Sequence, residues 1–125
     1  MKRIAVLFFI CISFYGCGTT NSGTSPVISN LRWTPLYANL GDGGGSISAV
    51  GMIDYFDNDA DFKYIYVEST NGKIKYTFNT SSKEGIAQSY IEIPTNARTT
   101  HVFSVYAVDI SGNKSNTING SFEVK

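Results

Sequence analysis

From Pro26 to the end of the chain, apolar residues recur at every second position and nowhere hold a sustained period of 3.6. Ile47, Ala49, Gly51, Ile53 and Tyr55 fall at period two, as do Ile65 and Val67, Ile74, Tyr76 and Phe78, and Ile91 and Ile93. The longest such run is His101, Phe103, Val105 and Ala107, interleaved with Val102, Ser104, Tyr106 and Val108. Alternation over short segments rich in Val, Ile, Thr and Tyr is the mark of a half-buried β-strand, because successive side chains leave opposite faces of a sheet. Turn-forming clusters separate the runs at 41–45, 57–61, 71–72, 80–85, 94–97 and 111–113. The pattern predicts seven strands: Val27–Trp33, Ser46–Tyr55, Phe62–Ser69, Lys73–Asn79, Gln88–Ile93, Thr100–Asp109 and Ile118–Val124. Asn71-Gly72 predicts a type I′ hairpin turn between the third and fourth. Seven short strands at regular spacing predict an all-β fold, a β-sandwich.

Ahead of this domain the pattern changes. Met1-Lys2-Arg3 is basic, Ile4 to Tyr15 is an apolar run, and Gly16-Cys17-Gly18 follows. A basic start, a short apolar stretch and a small residue form a secretory signal, too short to span a bilayer as a helix. Gly18 to Ser25 contains only Gly, Thr, Asn and Ser, a composition that buries no core and reads as a tether. The expected organisation is a signal over 1–16, a flexible tether over 17–25 and one sandwich domain over 26–125. Phe14-Tyr15-Gly16-Cys17 resembles the lipobox of bacterial lipoproteins. The resemblance implies cleavage before Cys17, acylation of its thiol and attachment to the cell envelope. Gly18 stands where enteric inner-membrane lipoproteins usually carry Asp, which by the same resemblance points to the outer membrane. Three acyl chains, as that family carries, hold a protein durably, since each buried CH₂ contributes about 0.8 kcal/mol.

The C-terminal quarter carries a second resemblance. His101 to Asp109, followed by Ile-Ser-Gly-Asn-Lys-Ser115, resembles the last two strands of bacterial immunoglobulin-like and fibronectin type III-like domains. Asp57-Asn-Asp-Ala-Asp61 with Phe62, Ile65 and Val67 resembles their passage from second to third strand. The tyrosine expected near the start of the sixth strand is His101 here, and the single tryptophan, Trp33, lies on the first strand. That fold hosts many functions, so function must be read from sites.

Charge narrows the field. The chain has 10 basic and 10 acidic side chains. Lys2 and Arg3 leave with the signal, so the mature chain keeps 8 basic against 10 acidic, a net charge near −2 that gives no footprint for nucleic acid. Cys11 also leaves and Cys17 carries lipid, so no disulfide is expected and the core alone must hold about 100 residues.

Three groups of residues carry candidate chemistry. His101 is the only histidine, and a Ser-His-Asp device would need it with an acid such as Asp109. Its parity with Phe103 and Val105 places it toward the interior or its rim, which favours a structural role. Asp57, Asp59 and Asp61 alternate as calcium ligands do. Phe62 stands where an EF-hand requires Gly, and the bidentate Glu is out of register, so the expectation is a solvated acidic turn with no metal. Zinc has no ligand set. Asn-x-Ser triplets at Asn79, Asn113 and Asn119 carry little meaning in a bacterial lipoprotein, and Gly41 to Gly45 lacks the helix of a phosphate cradle and reads as a mobile loop.

The third group is aromatic. With Ile65, Val67, Phe103 and Val105 inward, Tyr64, Tyr66 and Tyr106 point outward. In an immunoglobulin-like topology the third and sixth strands are neighbours, so these tyrosines would share one outer face. Tyrosine suits strands in any case, but it also suits wet recognition surfaces. The expected function is a non-catalytic, lipid-anchored envelope protein without a cofactor, a binding or structural module that meets the membrane through its anchor and a protein or glycan through Tyr64, Tyr66 and Tyr106. The alternatives are an accessory subunit of an envelope assembly, joined through a free sheet edge, and a small hydrolase using His101.

Overall fold

The computed structural model describes residues 23–125. The expected signal, Cys17 and the first part of the expected tether lie outside the described residues. The chain forms eight strands: β1 (Val27–Thr34), β2 (Tyr37–Ala38), β3 (Ser46–Phe56), β4 (Phe62–Ser69), β5 (Gly72–Thr77), β6 (Glu84–Pro94), β7 (Thr99–Asp109) and β8 (Ile118–Val124). They build two sheets, β1-β3-β6 and β2-β8-β7-β4-β5, packed as an all-β sandwich. Every pairing is antiparallel except β2 with β8. Among the described residues no helix is long and apolar enough to cross a membrane.

The core takes in most of the alternating positions and adds Ile28, Trp33, Phe62 and Phe122. Ile28, Trp33, Ile53, Tyr55, Ile91 and Ile93 from one sheet meet Phe62, Ile65, Val67, Phe103, Val105 and Phe122 from the other, all buried. Trp33 packs on Phe103 and edge-on to Phe122, with centroids 5.3 and 6.2 Å apart. Tyr55 stacks on Phe62 at 4.2 Å. Two glycines make room for these rings. A Cβ on Gly51 would lie 2.7 Å from the Trp33 ring, and one on Gly85 would lie 2.9 Å from the Tyr55 hydroxyl oxygen.

Several expectations are corrected here. β2 has two residues, too few to show a period, and it forms because its backbone reaches the end of β8 at Glu123 and Val124. β6 begins at Glu84, four residues before the predicted start. Gly85 belongs to that strand, paired with Tyr55, and is glycine to clear the ring beside it. The hairpin loop is Thr70-Asn71 and not Asn71-Gly72: Ser69 pairs with Gly72, which at φ +139° opens β5. Ile74, given the inward parity of its strand, is 46% exposed, because β5 is the outermost strand of its sheet. The Gly-rich loop, predicted as mobile, is fastened to buried Thr95. Gly41 N–H donates to the Thr95 carbonyl at 2.7 Å, Thr95 N–H donates to the Gly45 carbonyl at 2.9 Å, and the Thr95 hydroxyl donates to the Asp42 carbonyl.

Strand direction gives the sandwich two distinct poles. The start of β1, the end of β3, the starts of β4 and β6 and the end of β7 lie at one pole, as the pairs Val27 with Phe56, Phe56 with Glu84 and Phe62 with Asp109 show. The chain therefore comes in beside the loop Asp57–Asp61. There the backbone N–H and the hydroxyl of Thr24 both donate to Asp59 Oδ2. The last residues of the expected tether are thus docked and not free, and Pro26 behind them is fully buried. The Thr70-Asn71 loop, the Thr95–Arg98 loop and the Gly-rich loop occupy the opposite pole.

Candidate functional site

The outer face of the five-stranded sheet can be read as rows across its strands. Lys75 on β5 pairs with Tyr66 on β4, which pairs with Tyr106 on β7. One row toward the far pole, Lys73 pairs with Glu68 and Glu68 with Ser104. One row toward the tether pole, Thr77 pairs with Tyr64 and Tyr64 with Val108, which bridges to Lys114. The sequence places these residues on one face because each is two positions from the next along its strand. The adjacency of β4 and β7 closes the cluster.

The three tyrosines touch. Tyr66 and Tyr106 stack with centroids 5.1 Å apart and planes 19° from parallel, and Tyr64 lies 6.4 Å from Tyr66 at a tilt. Each ring also carries an ammonium. Lys75 Nζ stands 3.6 Å from the Tyr64 centroid, Lys73 Nζ 4.4 Å from that of Tyr66, and Lys114 Nζ 3.8 Å from that of Tyr106. Such cation–π contacts stabilise by about 0.5–1 kcal/mol at exposed sites. The three tyrosines share the outer face as expected, but the lysines cover Tyr106, of which only 7% remains exposed. Its hydroxyl donates to Glu68 Oε1 at 3.0 Å and accepts from Lys73 Nζ, while Lys73 also pairs with Glu68 at 2.9 Å. Lys73 and Tyr106 together hold the Glu68 carboxyl below its ordinary range, Lys73 contributing most. The lysines carry the information that alternation of apolar residues misses, and the signal lay in Lys73 and Lys75 sharing the outward parity of β5.

Asp57, Asp59 and Asp61 do converge, with one oxygen of each within 4.8 Å of the others. The expectation of a solvated turn is corrected at Asp57, which is fully buried. Its carboxylate accepts the backbone N–H groups of Asp59 and Asp61 at 3.2 and 3.1 Å, so it closes the loop on itself. Burial pushes its carboxyl up, and the charge of Asp61 pushes the same way. Asp61 Oδ2 accepts from the Ser111 hydroxyl at 3.2 Å, while its Oδ1 is enclosed without a hydrogen-bond partner. A calcium ion takes 6–8 oxygens, and most of these carboxylate oxygens already accept protein donors.

His101 is half-buried on β7, opposite Phe122, and its Nε2 is enclosed without a partner. Asp109 ends the same strand eight residues on, about 26 Å away at about 3.3 Å per residue. Both oxygens of Asp109 are engaged by Asn113, whose backbone N–H donates at 2.7 Å and side-chain amide at 2.8 Å. The structure therefore does not bring His101 and Asp109 together as a catalytic pair. His101 instead borders a groove of about 630 Å³ at the far pole, between the free edges of β5 and β6, floored by Val67, Ile91 and Phe103.

The sheet edges differ in their protection. The β1 edge is capped at Ile28 by Asn116, whose side chain accepts from Ile28 N–H and donates to the Ile28 carbonyl, both at 2.9 Å. On the β6 edge the Tyr76 hydroxyl donates to the Tyr90 carbonyl. Unpaired edges invite further strands, and each of these side chains takes up backbone groups that an added strand would use. No family model matches the chain, and a search of the curated proteins finds no match.

Proposed function

We propose that this protein is a non-catalytic, lipid-anchored envelope module that recognises a partner through the outer face of β4, β5 and β7. The observation that carries the reading is the contiguous cluster of Tyr64, Tyr66 and Tyr106, stacked and tilted against one another on one face of the five-stranded sheet. Aromatic side chains with a polar end are favoured in recognition surfaces because they offer large contact area at low entropic cost. Acylation at Cys17 would fix the chain to the membrane. On that reading the pole where Thr24 docks on Asp59 lies toward the membrane, and the tyrosine face stands along the flank of the sandwich. By the lipobox resemblance the location is the outer membrane.

The test is a photoreactive residue at position 64 in the full-length chain, produced in its own cells. A discrete adduct from position 64, with none from position 86 on the exposed face of the other sheet, supports the reading. Equal or absent capture at the two positions overturns it.

A further inference from the structure

Resting on that reading, we infer that the face selects a partner protein presenting clustered carboxylates. Charge is placed unevenly within a nearly neutral molecule. Lys73, Lys75 and Lys114 converge on one aromatic cluster, and all three are exposed. Lys73 is paired with Glu68 at 2.9 Å. Among the described residues, neither Lys75 nor Lys114 has a carboxylate within salt-bridge reach. The cluster thus keeps two positive charges in excess, held in place by the rings beneath them. Ammonium groups ordered in advance lose less freedom when an anion arrives.

The same geometry decides what kind of anion fits. A sugar ring that stacks needs an open aromatic face, and here Lys75 and Lys114 already lie over Tyr64 and Tyr106. Stacking would have to strip away those contacts. Carboxylates of an acidic protein surface would instead bind the ammoniums from outside and leave the cation–π contacts in place. Lys114 reaches the cluster from the β7–β8 connection and Lys75 from β5, so the two charges flank the tyrosines from opposite sides. A partner must therefore offer at least two acidic groups spaced across the Tyr66–Tyr106 pair.

The probe is fluorescently labelled polyglutamate, titrated against the full-length protein in neutral detergent, with polygalacturonate and a neutral glucan alongside. Polyglutamate should bind, and its binding should weaken as salt rises. The pair Lys75→Gln and Lys114→Gln should weaken it about tenfold or more, while Lys75→Arg with Lys114→Arg should retain it, since charge and not shape is read. Failure of polyglutamate to bind, or binding indifferent to the two glutamines, overturns the inference. Preference for polygalacturonate over polyglutamate overturns the assignment to a protein. The photoreactive residue at position 64 separates this from failure of the underlying reading. An adduct that persists unchanged with both lysines replaced by glutamine leaves the face standing and removes its charge selection. An adduct missing from the unaltered chain removes the face itself.

Discussion

Tyr66 and Tyr106 stand directly opposite each other on β4 and β7 and stack at 5.1 Å, on the outside of the sandwich and not in its core. The pair is roofed by lysines, so one outward residue is as hidden as a core residue. Tyr106→Ala should therefore destabilise by about 2–3 kcal/mol, combining lost stacking, ammonium contacts and burial. Tyr106→Phe keeps the ring and loses only the hydroxyl shared by Glu68 and Lys73, so it should cost about 0.5–1.5 kcal/mol. Urea unfolding of the two variants checks this. Equal losses would mean that the hydroxyl, and not the ring, holds this face.

Val105, the neighbour of Tyr106 and 1% exposed, points the other way into the core. Val105→Ala should cost about 1–3 kcal/mol through lost burial and an unfilled cavity. A loss within about 0.5 kcal/mol of zero, the range of ordinary surface substitutions, would contradict the assigned register of β7.

Gly85→Ala should destabilise by about 1–3 kcal/mol, because the added methyl meets the Tyr55 ring and hydroxyl within the strand pair β3–β6. Thermal melts read this directly. A neutral outcome would show that Tyr55, stacked on Phe62, shifts freely, against its close packing in the structure.

The loop Asp57–Asp61 makes a pH prediction with a definite sign. Asp57 has a raised carboxyl pKa in the folded chain, so its favourable contribution is present below the unfolded value and is lost as pH rises through the folded one. Near neutrality it is a cost, and the neighbouring Asp61 increases it. Asp61→Asn should raise stability at neutral pH by about 0.5–1 kcal/mol and move the titration of Asp57 toward the ordinary range. Melts with chelator and with calcium should overlay for both chains. A calcium-dependent rise in melting temperature that Asp61→Asn abolishes would show that a cation balances these carboxylates.

Much of this architecture could be read from alternation, and the limits are physical. Parity along β4 and β7 located Ile65, Val67, Phe103 and Val105 inside, because one buried face repeats every two residues. It could not show that Tyr106 is covered, since the cover comes from Lys73 on β5 and Lys114 beyond β7, brought near only by sheet order. Asp57 escaped for a similar reason: a carboxylate that caps its own loop has the same sequence as one left in water. Two-residue β2 leaves no periodic trace at all. Gly85 reads as a breaker in the sequence, whereas its role is to clear a ring that belongs to another strand.

The proposed function requires a domain held at the membrane through Cys17. The intact mass of the full-length protein, extracted from membranes by detergent, tests this most directly. The expected result is a chain that begins at Cys17 and is heavier than its residues by the mass of acyl groups, and a Cys17→Ser variant that lacks both the cleavage and the added mass. An unmodified mass for the natural chain, or membrane retention of Cys17→Ser with an unchanged mass, would contradict it.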